Sequence, residues 1–345
     1  MADTFPFARV LRVARTGSTN SDLRAAAATD PGAWPHLSVL VTDQQDAGRG
    51  RAGRTWVTAP GTALTASVLL RPRVPAERLA WVTLLGGLAV QRATAELAGV
   101  RTGIKWPNDV LVVGAGDEDV PGWGRDRKVA GILAEVLLPA GGAEGAVVAH
   151  EAGMAARSDA GAASGAFASA DTGAASGAPA SAHASAHASA DADTRDHLPA
   201  VVLGIGVNVR QSPEELPVDW ATSLALAARA TGGATVGAGA TGGPAEGDTA
   251  PSVDDTLAAV GAHLADLLAR WERAGGDAEA AGLADEVRAA CLTMGRPVRA
   301  ELPGGAVVAG TATDIDGAGR LLVRTDAGEV TTVQAGDVLH VRADI

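Results

Sequence analysis

The stretch Gln44-Gln45-Asp46-Ala47-Gly48-Arg49-Gly50-Arg51-Ala52-Gly53-Arg54-Thr55-Trp56 interleaves three arginines with three glycines. Arginine offers a planar fork of donors that matches carboxylate and phosphate oxygens. Interleaved glycines let backbone N–H groups approach the same anion and leave the loop free to close over it. Gly48-x-Gly50-x-x-Gly53 formally fits a dinucleotide fingerprint, which needs a strand before it, a helix after it and an acid about 20 residues on. Here Thr62 to Leu70 follows and reads as a strand, and arginines stand between the glycines. The dinucleotide-binding fold is set aside on that ground. The stretch reads as a loop that folds over a small, multiply anionic ligand, against the plainer reading of a solvated basic loop.

Upstream, Leu37 to Val41 reads as a buried strand delivering this loop. Gly17-Ser18-Thr19-Asn20-Ser21-Asp22-Leu23 leads into an alanine-rich run; its hydroxyls and amide suit either a helix N-cap or a polar ligand held at a helix N-terminus. Downstream, Leu79, Val82, Leu85, Leu88 and Ala89 give helical spacing within Ala76 to Ala98. Val110 to Val113 and Val129 to Leu138 read as strands joined by a Gly/Asp-rich turn from Gly114 to Asp126. Val201 to Val209 is a buried strand with two internal glycines, which often mark a close approach by ligand or backbone. Ser252, with Asp255 three residues on, opens a helix whose face carries Leu257, Val260, Leu264, Leu267, Leu268 and Trp271. Leu283 to Ala290 is a further short helix. Short β-runs at Pro297 to Leu302, Ala306 to Thr313, Leu321 to Thr325 and Val330 to Val333 predict a small terminal β-barrel.

The chain of 345 residues allows two domains and a sizeable core. A net charge of −12 argues against a general affinity for nucleic acid. One cysteine, Cys291, excludes an internal disulfide, fits a reducing compartment and reads as a small buried apolar side chain. No apolar run approaches the ~20 residues that span a bilayer, and Met1 to Phe7 lacks a signal-peptide core, so a soluble cytoplasmic protein is expected. Residues 141–196 are low in large apolar side chains and carry a Ser-Ala-His-Ala near-repeat, which predicts a disordered insertion. Residues 232–251 predict a flexible linker.

The cation count carries a sharper signal. Of 28 Lys+Arg, two are lysines, Lys105 and Lys128, and the asparagines are Asn20, Asn108 and Asn208. Both lysines lie in apolar, strand-like contexts, where a charge is costly without a partner. A compact ammonium with a movable pKa does something there that a guanidinium cannot.

Taken in order, Ser18-Thr19-Asn20, Gln45 through Arg54, Lys105-Trp106-Pro107-Asn108-Asp109, Lys128-Val129-Ala130-Gly131-Ile132-Leu133 and Gly204-Ile205-Gly206-Val207-Asn208 resemble the motifs of biotin protein ligases. The tail from Ala335 to Arg342 resembles that family's closing strand. The resemblance covers nearly the whole chain apart from the two low-complexity segments. It implies an α+β fold: a mixed-sheet catalytic domain of the biotin/lipoate ligase type with helices packed on it (1–292), then a C-terminal SH3-like β-barrel (293–345). It also implies a two-step reaction, in which biotin and ATP form biotinyl-5′-adenylate and pyrophosphate, and a lysine of a biotin carboxyl carrier domain then displaces AMP.

By that resemblance Lys128, Arg51, Asp109 and Lys105 are the catalytic candidates. Lys128 bridges carboxylate and α-phosphate, Lys105 assists phosphate binding, and Asp109 orients or deprotonates the incoming lysine. Pro107-Asn108-Asp109 is equally a polar turn at a strand end. Ser18, Thr19, Asn20, Gln45, Gly48, Arg49, Arg51, Lys128 and Gly131 fall to biotin, whose neutral ureido ring needs donors and acceptors. Arg49, Arg51, Trp56, Lys105, Asn108, Lys128, Asn208, Trp220 and Arg342 fall to the nucleotide, with Trp220 equally a core residue. Mg²⁺ is expected with ATP, and no residue is assigned as a metal ligand. The partners implied are biotin, ATP and a carrier domain such as that of acetyl-CoA carboxylase; a homodimer is compatible with the sequence. The Ser-Thr-Asn motif starts at residue 18, which leaves no room for the winged helix-turn-helix of regulatory members, so no DNA partner is expected. A lipoate ligase or octanoyl transferase, and a non-catalytic binding module, are the rival readings.

Overall fold

The computed structural model describes residues 6–137, 199–230, 250–302 and 305–335, and the backbone of 340–343. The predicted insertion at 141–196 and the predicted linker, up to residue 249, lie outside the described residues. So does the side chain of Arg342.

Seven strands form a mixed sheet: β1 (Arg9–Thr16), β2 (Ser38–Gln45), β3 (Ala63–Leu70), β4 (Thr102–Lys105), β5 (Asp109–Val112), β6 (Arg127–Leu137) and β7 (Ala200–Asn208). Their spatial order is β1-β2-β3-β7-β6-β5-β4, with β1 and β2 parallel and every other pair antiparallel. The Gly/Arg stretch therefore joins two adjacent antiparallel strands, β2 and β3. No helix follows it, which is the arrangement that excluded a dinucleotide fold.

The central strands alternate between two buried faces, as the side-chain period of two requires. On β7, Val201, Leu203, Ile205 and Val207 enter the main core with helices α2 (Trp81–Ala98), α4 (Val253–Arg273) and α5 (Leu283–Ala290). Ala200 and Val202 point the other way, onto Leu23 and Ala27 of helix α1 (Thr19–Thr29). Gly204, Gly206 and Asn208 continue that second face beyond the end of α1. There the sheet is lined by a cleft instead of by a helix.

Helix α4 keeps the predicted stripe wholly buried and closes its N-terminus with the predicted capping box. The Asp255 N–H donates to Ser252 Oγ at 3.0 Å, a cap of about 1 kcal/mol. The helix predicted from Ala76 starts instead at Trp81. After Pro75, Ala76–Arg78 form a 3₁₀ turn, which lets Arg78 Nη1 and Trp81 Nε1 both donate to the Gly317 carbonyl, at 2.7 and 2.9 Å. Three elements escaped the sequence reading: β1, β4, four residues long, and helix α3 (Leu224–Ala230). Cys291 is buried as expected, and burial pushes its thiol up.

The C-terminal strands β8 (Pro297–Glu301), β9 (Val307–Ile315), β10 (Leu321–Arg324), β11 (Val330–Val333) and β12 (His340–Ala343) form a separate five-stranded antiparallel sheet of the SH3-like kind. It is fastened to the large sheet through Trp106, which follows β4. The Trp106 indole donates to the Gly319 carbonyl at 3.2 Å, and its amide donates to Thr293 Oγ1 at 3.0 Å.

Candidate active site

Strand register lays out a row of residues of which Gly131, Gly206 and Thr65 form the floor of the cleft. Lys105 pairs with Asp109, Asp109 with Gly131, Gly131 with Gly206 and Gly206 with Thr65. Directly opposed residues share a face, so this row crosses five strands on the side away from the main core. Its two central glycines leave the middle bare, and the Trp56 indole fills that space. A Cβ on Gly206 would lie 2.5 Å from the Trp56 ring. Gly204, one step along the same face, is held bare by Asn20, whose Oδ1 would meet a Cβ at 2.5 Å. Sequence reasoning took these glycines as marks of a close approach by ligand or backbone; the groups that come close are side chains, Trp56 and Asn20. The cleft above them has a volume of about 540 Å³, within the range of small-molecule sites.

One end of the cleft is neutral. Thr19 donates to Gln45 Oε1 through its backbone N–H at 2.8 Å and through its hydroxyl at 3.1 Å. Ser67 Oγ lies 2.7 Å from Thr19 Oγ1 and 2.5 Å from Asn20 Oδ1. Ser18 takes the N-cap position of α1 but makes no side-chain cap bond. The motif's polar atoms thus turn inward, onto the sheet and into the cleft, in preference to capping. Thr65 also lines this end, and its buried hydroxyl has no hydrogen-bond partner. The sequence reading missed Ser67 and Thr65, which sit unmarked in a strand whose other residues are apolar. Only the period of two, counted from the core-facing Leu64 and Ala66, separates them.

The other end is charged and aromatic. The Lys128 ammonium lies 2.6 Å from Asp109 Oδ1, both side chains being largely buried, and stands 5.8 Å from the centre of the Trp56 ring. Burial pushes the Asp109 carboxyl up. The Lys128 ammonium, by charge and by hydrogen bond, outweighs that and holds it below the usual carboxylate range, with Lys105 and Arg54 adding to the pull. A register shift between Val110 and Leu111, where β5 meets β6, sets Lys128 beside this acid, the re-aiming that β-bulges provide. The Lys128 backbone also fastens the outer wall: its N–H donates to the Trp220 carbonyl at 2.7 Å, and its carbonyl accepts from Thr222 N–H at 2.9 Å. Asn208 Nδ2 donates to the Thr222 carbonyl at 3.0 Å. Trp220 is partly exposed at the cleft mouth, so the core alternative falls. Its ring stacks on Trp123 at 5.9 Å. Asn108 lines the cleft and also zips β5 to β6, donating to the Ile132 carbonyl at 3.0 Å.

Lys105 is not in this cleft. Its ammonium sits 3.5 Å above the Trp123 ring in a neighbouring cavity of about 390 Å³ beneath the Gly114–Asp126 turn. Trp123 went unnoticed in the sequence, lying in a turn read as a connector.

The Gly/Arg stretch forms a flap over the cleft. Gly50 N–H donates to the Arg54 carbonyl at 2.6 Å, Trp56 N–H to the Gly48 carbonyl at 2.9 Å. Ala52 and Gly53 at the tip both have left-handed backbones, φ 54° and 69°, the pattern of a tight hairpin turn. Gly48 thus closes the base of the flap and does not line the cleft. Arg51 reaches from the tip to the Ala335 carbonyl of the small C-terminal unit. Arg49 Nη2 turns back to Glu135, 3.2 Å from each carboxylate oxygen, and to Ser21 Oγ at 2.9 Å. Glu135 is another buried residue that the sequence reading passed over.

A mixed sheet with a neutral polar pocket at one end of a cleft, a lone ammonium at the other and an arginine flap above defines the biotin/lipoate ligase class. The biotin/lipoate A/B protein ligase family matches at residues 14–150, and the biotin protein ligase C terminal domain at residues 293–341. The biotin--[acetyl-CoA-carboxylase] ligase of Mycobacterium tuberculosis is 33% identical over 334 residues, 96% of this chain and 88% of that protein. The bifunctional ligase/repressor BirA of Bacillus subtilis is 29% identical over 197 residues, 56% of this chain and 40% of that one. The biotin protein ligase from Aquifex aeolicus in complex with biotin and ATP superposes with a TM-score of 0.59 at 20% identity, covering 98% of this chain and 100% of that chain. The chain belongs to the biotin protein ligase family, and it is a ligase.

Proposed function

We propose that the cleft holds biotin at its neutral end and ATP at its charged end and joins them. The biotin carboxylate attacks the α-phosphorus, pyrophosphate leaves and biotinyl-5′-adenylate forms. A lysine amine of a biotin carboxyl carrier domain, of the kind acetyl-CoA carboxylase bears, then attacks the biotinyl carbonyl. AMP leaves, and the amine's surplus proton is lost.

The observation that carries this reading is the Lys128–Asp109 pair at the charged end. Two anions must be brought together for the first step. An ammonium fixed in a partly dry site stabilises the charge that crowds there as the bond forms. Arriving carboxylate and phosphate oxygens compete with Asp109 for Lys128. Asp109, once released, faces the next cation to arrive, the acceptor lysine. While Lys128 holds it below its usual range the Asp109 carboxylate is a weak base, and its charge orients the arriving ammonium. Lys105 acts from the adjoining cavity through its field on Asp109, and Arg51 ties the flap shut against residue 335. Trp56 and Trp220 offer ring faces for the adenine. Thr19, Gln45, Thr65 and Ser67 offer donors and acceptors for a neutral ring.

Among the described residues no group of three or more His, Cys, Asp or Glu side chains could hold a metal ion. Mg²⁺ would enter with ATP, bound to its phosphates. The catalytic part is assigned to residues 1–292 and the small β-unit to 293–345. Incubating a carrier domain with ATP and either biotin or lipoate, followed by mass spectrometry, tests the reading. One added biotin is expected, and a gain with lipoate alone would refute it.

A further inference from the structure

We propose that Glu135 is the anchor of the flap: a positioning residue that works through Arg49. It stands on β6 four residues after Gly131, on the same face as the floor of the cleft, in a strand built of apolar and small residues after Arg127 and Lys128. Its side chain is nearly closed to solvent and receives three side chains from two elements at once. Asn20 Nδ2 of α1 donates to Oε2 at 2.8 Å. Arg24 Nη1, one turn along α1, approaches Oε1 at 3.4 Å. Arg49 Nη2 of the flap lies 3.2 Å from both oxygens.

A buried carboxylate is retained at a cost unless its partners satisfy it. Here the partners come from the two parts that must act together. Asn20 belongs to the neutral network with Ser67 and Thr19, and Arg49 belongs to the flap base. Arg49 is thus occupied as a tether. Its Nη2 is taken up by Glu135 and Ser21, and it holds the base of the flap while Arg51 holds the tip. Replacing Glu135 by glutamine keeps an acceptor for Asn20 but leaves the Arg24 and Arg49 guanidiniums facing each other with no negative charge between them. The flap base should lift while the Lys128 end is untouched.

The inference rests on the proposed function for its consequence, retention of the adenylate, but not for the tether itself. Two readouts on the full chain keep these apart. In the first, ligand-free wild type, Glu135→Gln and Arg49→Ala are exposed to trypsin. Cleavage after Arg51 and Arg54 should be about tenfold faster in both variants than in wild type, while core sites stay protected; unchanged flap cleavage overturns the anchor. In the second, biotinyl-adenylate is formed on each protein, and the rates of its formation and escape are compared. Escape should rise at least about tenfold more than formation falls, and the double variant should lose no more than the worse single one. Equal losses in both steps, or multiplied losses in the double variant, would reduce Glu135 to a fold residue. Failure of wild type to release pyrophosphate with biotin would sink the proposed function and leave the tryptic result to decide the tether.

Discussion

The two ends of the cleft arrange their polar groups by opposite means. At the neutral end Thr19, Asn20, Gln45 and Ser67 bond to one another with short, mutually satisfied contacts. Losing one member costs a hydrogen bond or two. At the charged end a buried acid and a largely buried ammonium rely on each other, with the Trp56 ring centre 5.8 Å from the ammonium. A buried ion pair is worth little net, yet removing one partner strands the other at several kcal/mol. The charged end is thus the brittle one, and its electrostatics are what chemistry between two anions demands.

The sharpest way to break this contrast is Lys128→Ala. Adenylate formation, followed as biotin-dependent pyrophosphate release, should fall by about three orders of magnitude. The variant should also lose about 3 kcal/mol of stability, because Asp109 is left buried alone. Adding Asp109→Asn should return most of that stability and none of the activity. If the double variant stayed as unstable as the single, the two groups would not depend on each other as described.

Asp109→Asn alone should slow transfer to the carrier more than it slows adenylate formation, by about tenfold in their ratio. It also carries a pH signature. Because the native carboxyl is held below its unfolded value, its contribution to stability is present above about pH 4 and is lost as pH falls through the lowered native value. Denaturant melts of wild type and Asp109→Asn should therefore differ by a constant amount between pH 5 and 8 and converge only in acid. A difference that changed near neutrality would place the Asp109 carboxyl above its usual range and reopen a base role.

Much of this was legible before any coordinates. The flap, the two lysines and the glycines of β7 stood out because each breaks a local expectation: cations in series, an ammonium in an apolar strand, bare positions in a buried one. What stayed hidden is what a sequence cannot lay side by side. Glu135 and Thr65 look like ordinary strand residues until register puts them on the cleft face. Lys105 shares its motif with Asp109, yet the chain turns it onto Trp123 in a second cavity, away from the ligand cleft. Arg49 looks identical to Arg51 in the alternating run, but one points back into the sheet and the other across to the small β-unit. β4 escaped because four residues are too few to show a period.

Two smaller substitutions sharpen the comparison from within the floor. Gly206→Ala puts a methyl group 2.5 Å from the Trp56 ring, so the indole must move off the glycine row. The seat lost is on the nucleotide side, and the KM for ATP should rise about tenfold, with the KM for biotin changed less. Thr65→Val probes the next position in the same row, paired with Gly206, at nearly constant volume. Its hydroxyl is buried without a partner, so the free protein already bears the cost of desolvating it. Removing it should leave the melting temperature unchanged or slightly raised, while biotin binding weakens by about 1 kcal/mol, or roughly fivefold, since a ligand hydrogen bond is then missing. Calorimetric titration with biotin alone reads this directly. A stability loss with unchanged biotin affinity would show that the hydroxyl serves the fold, and that the neutral end is confined to the Thr19–Gln45–Ser67 network.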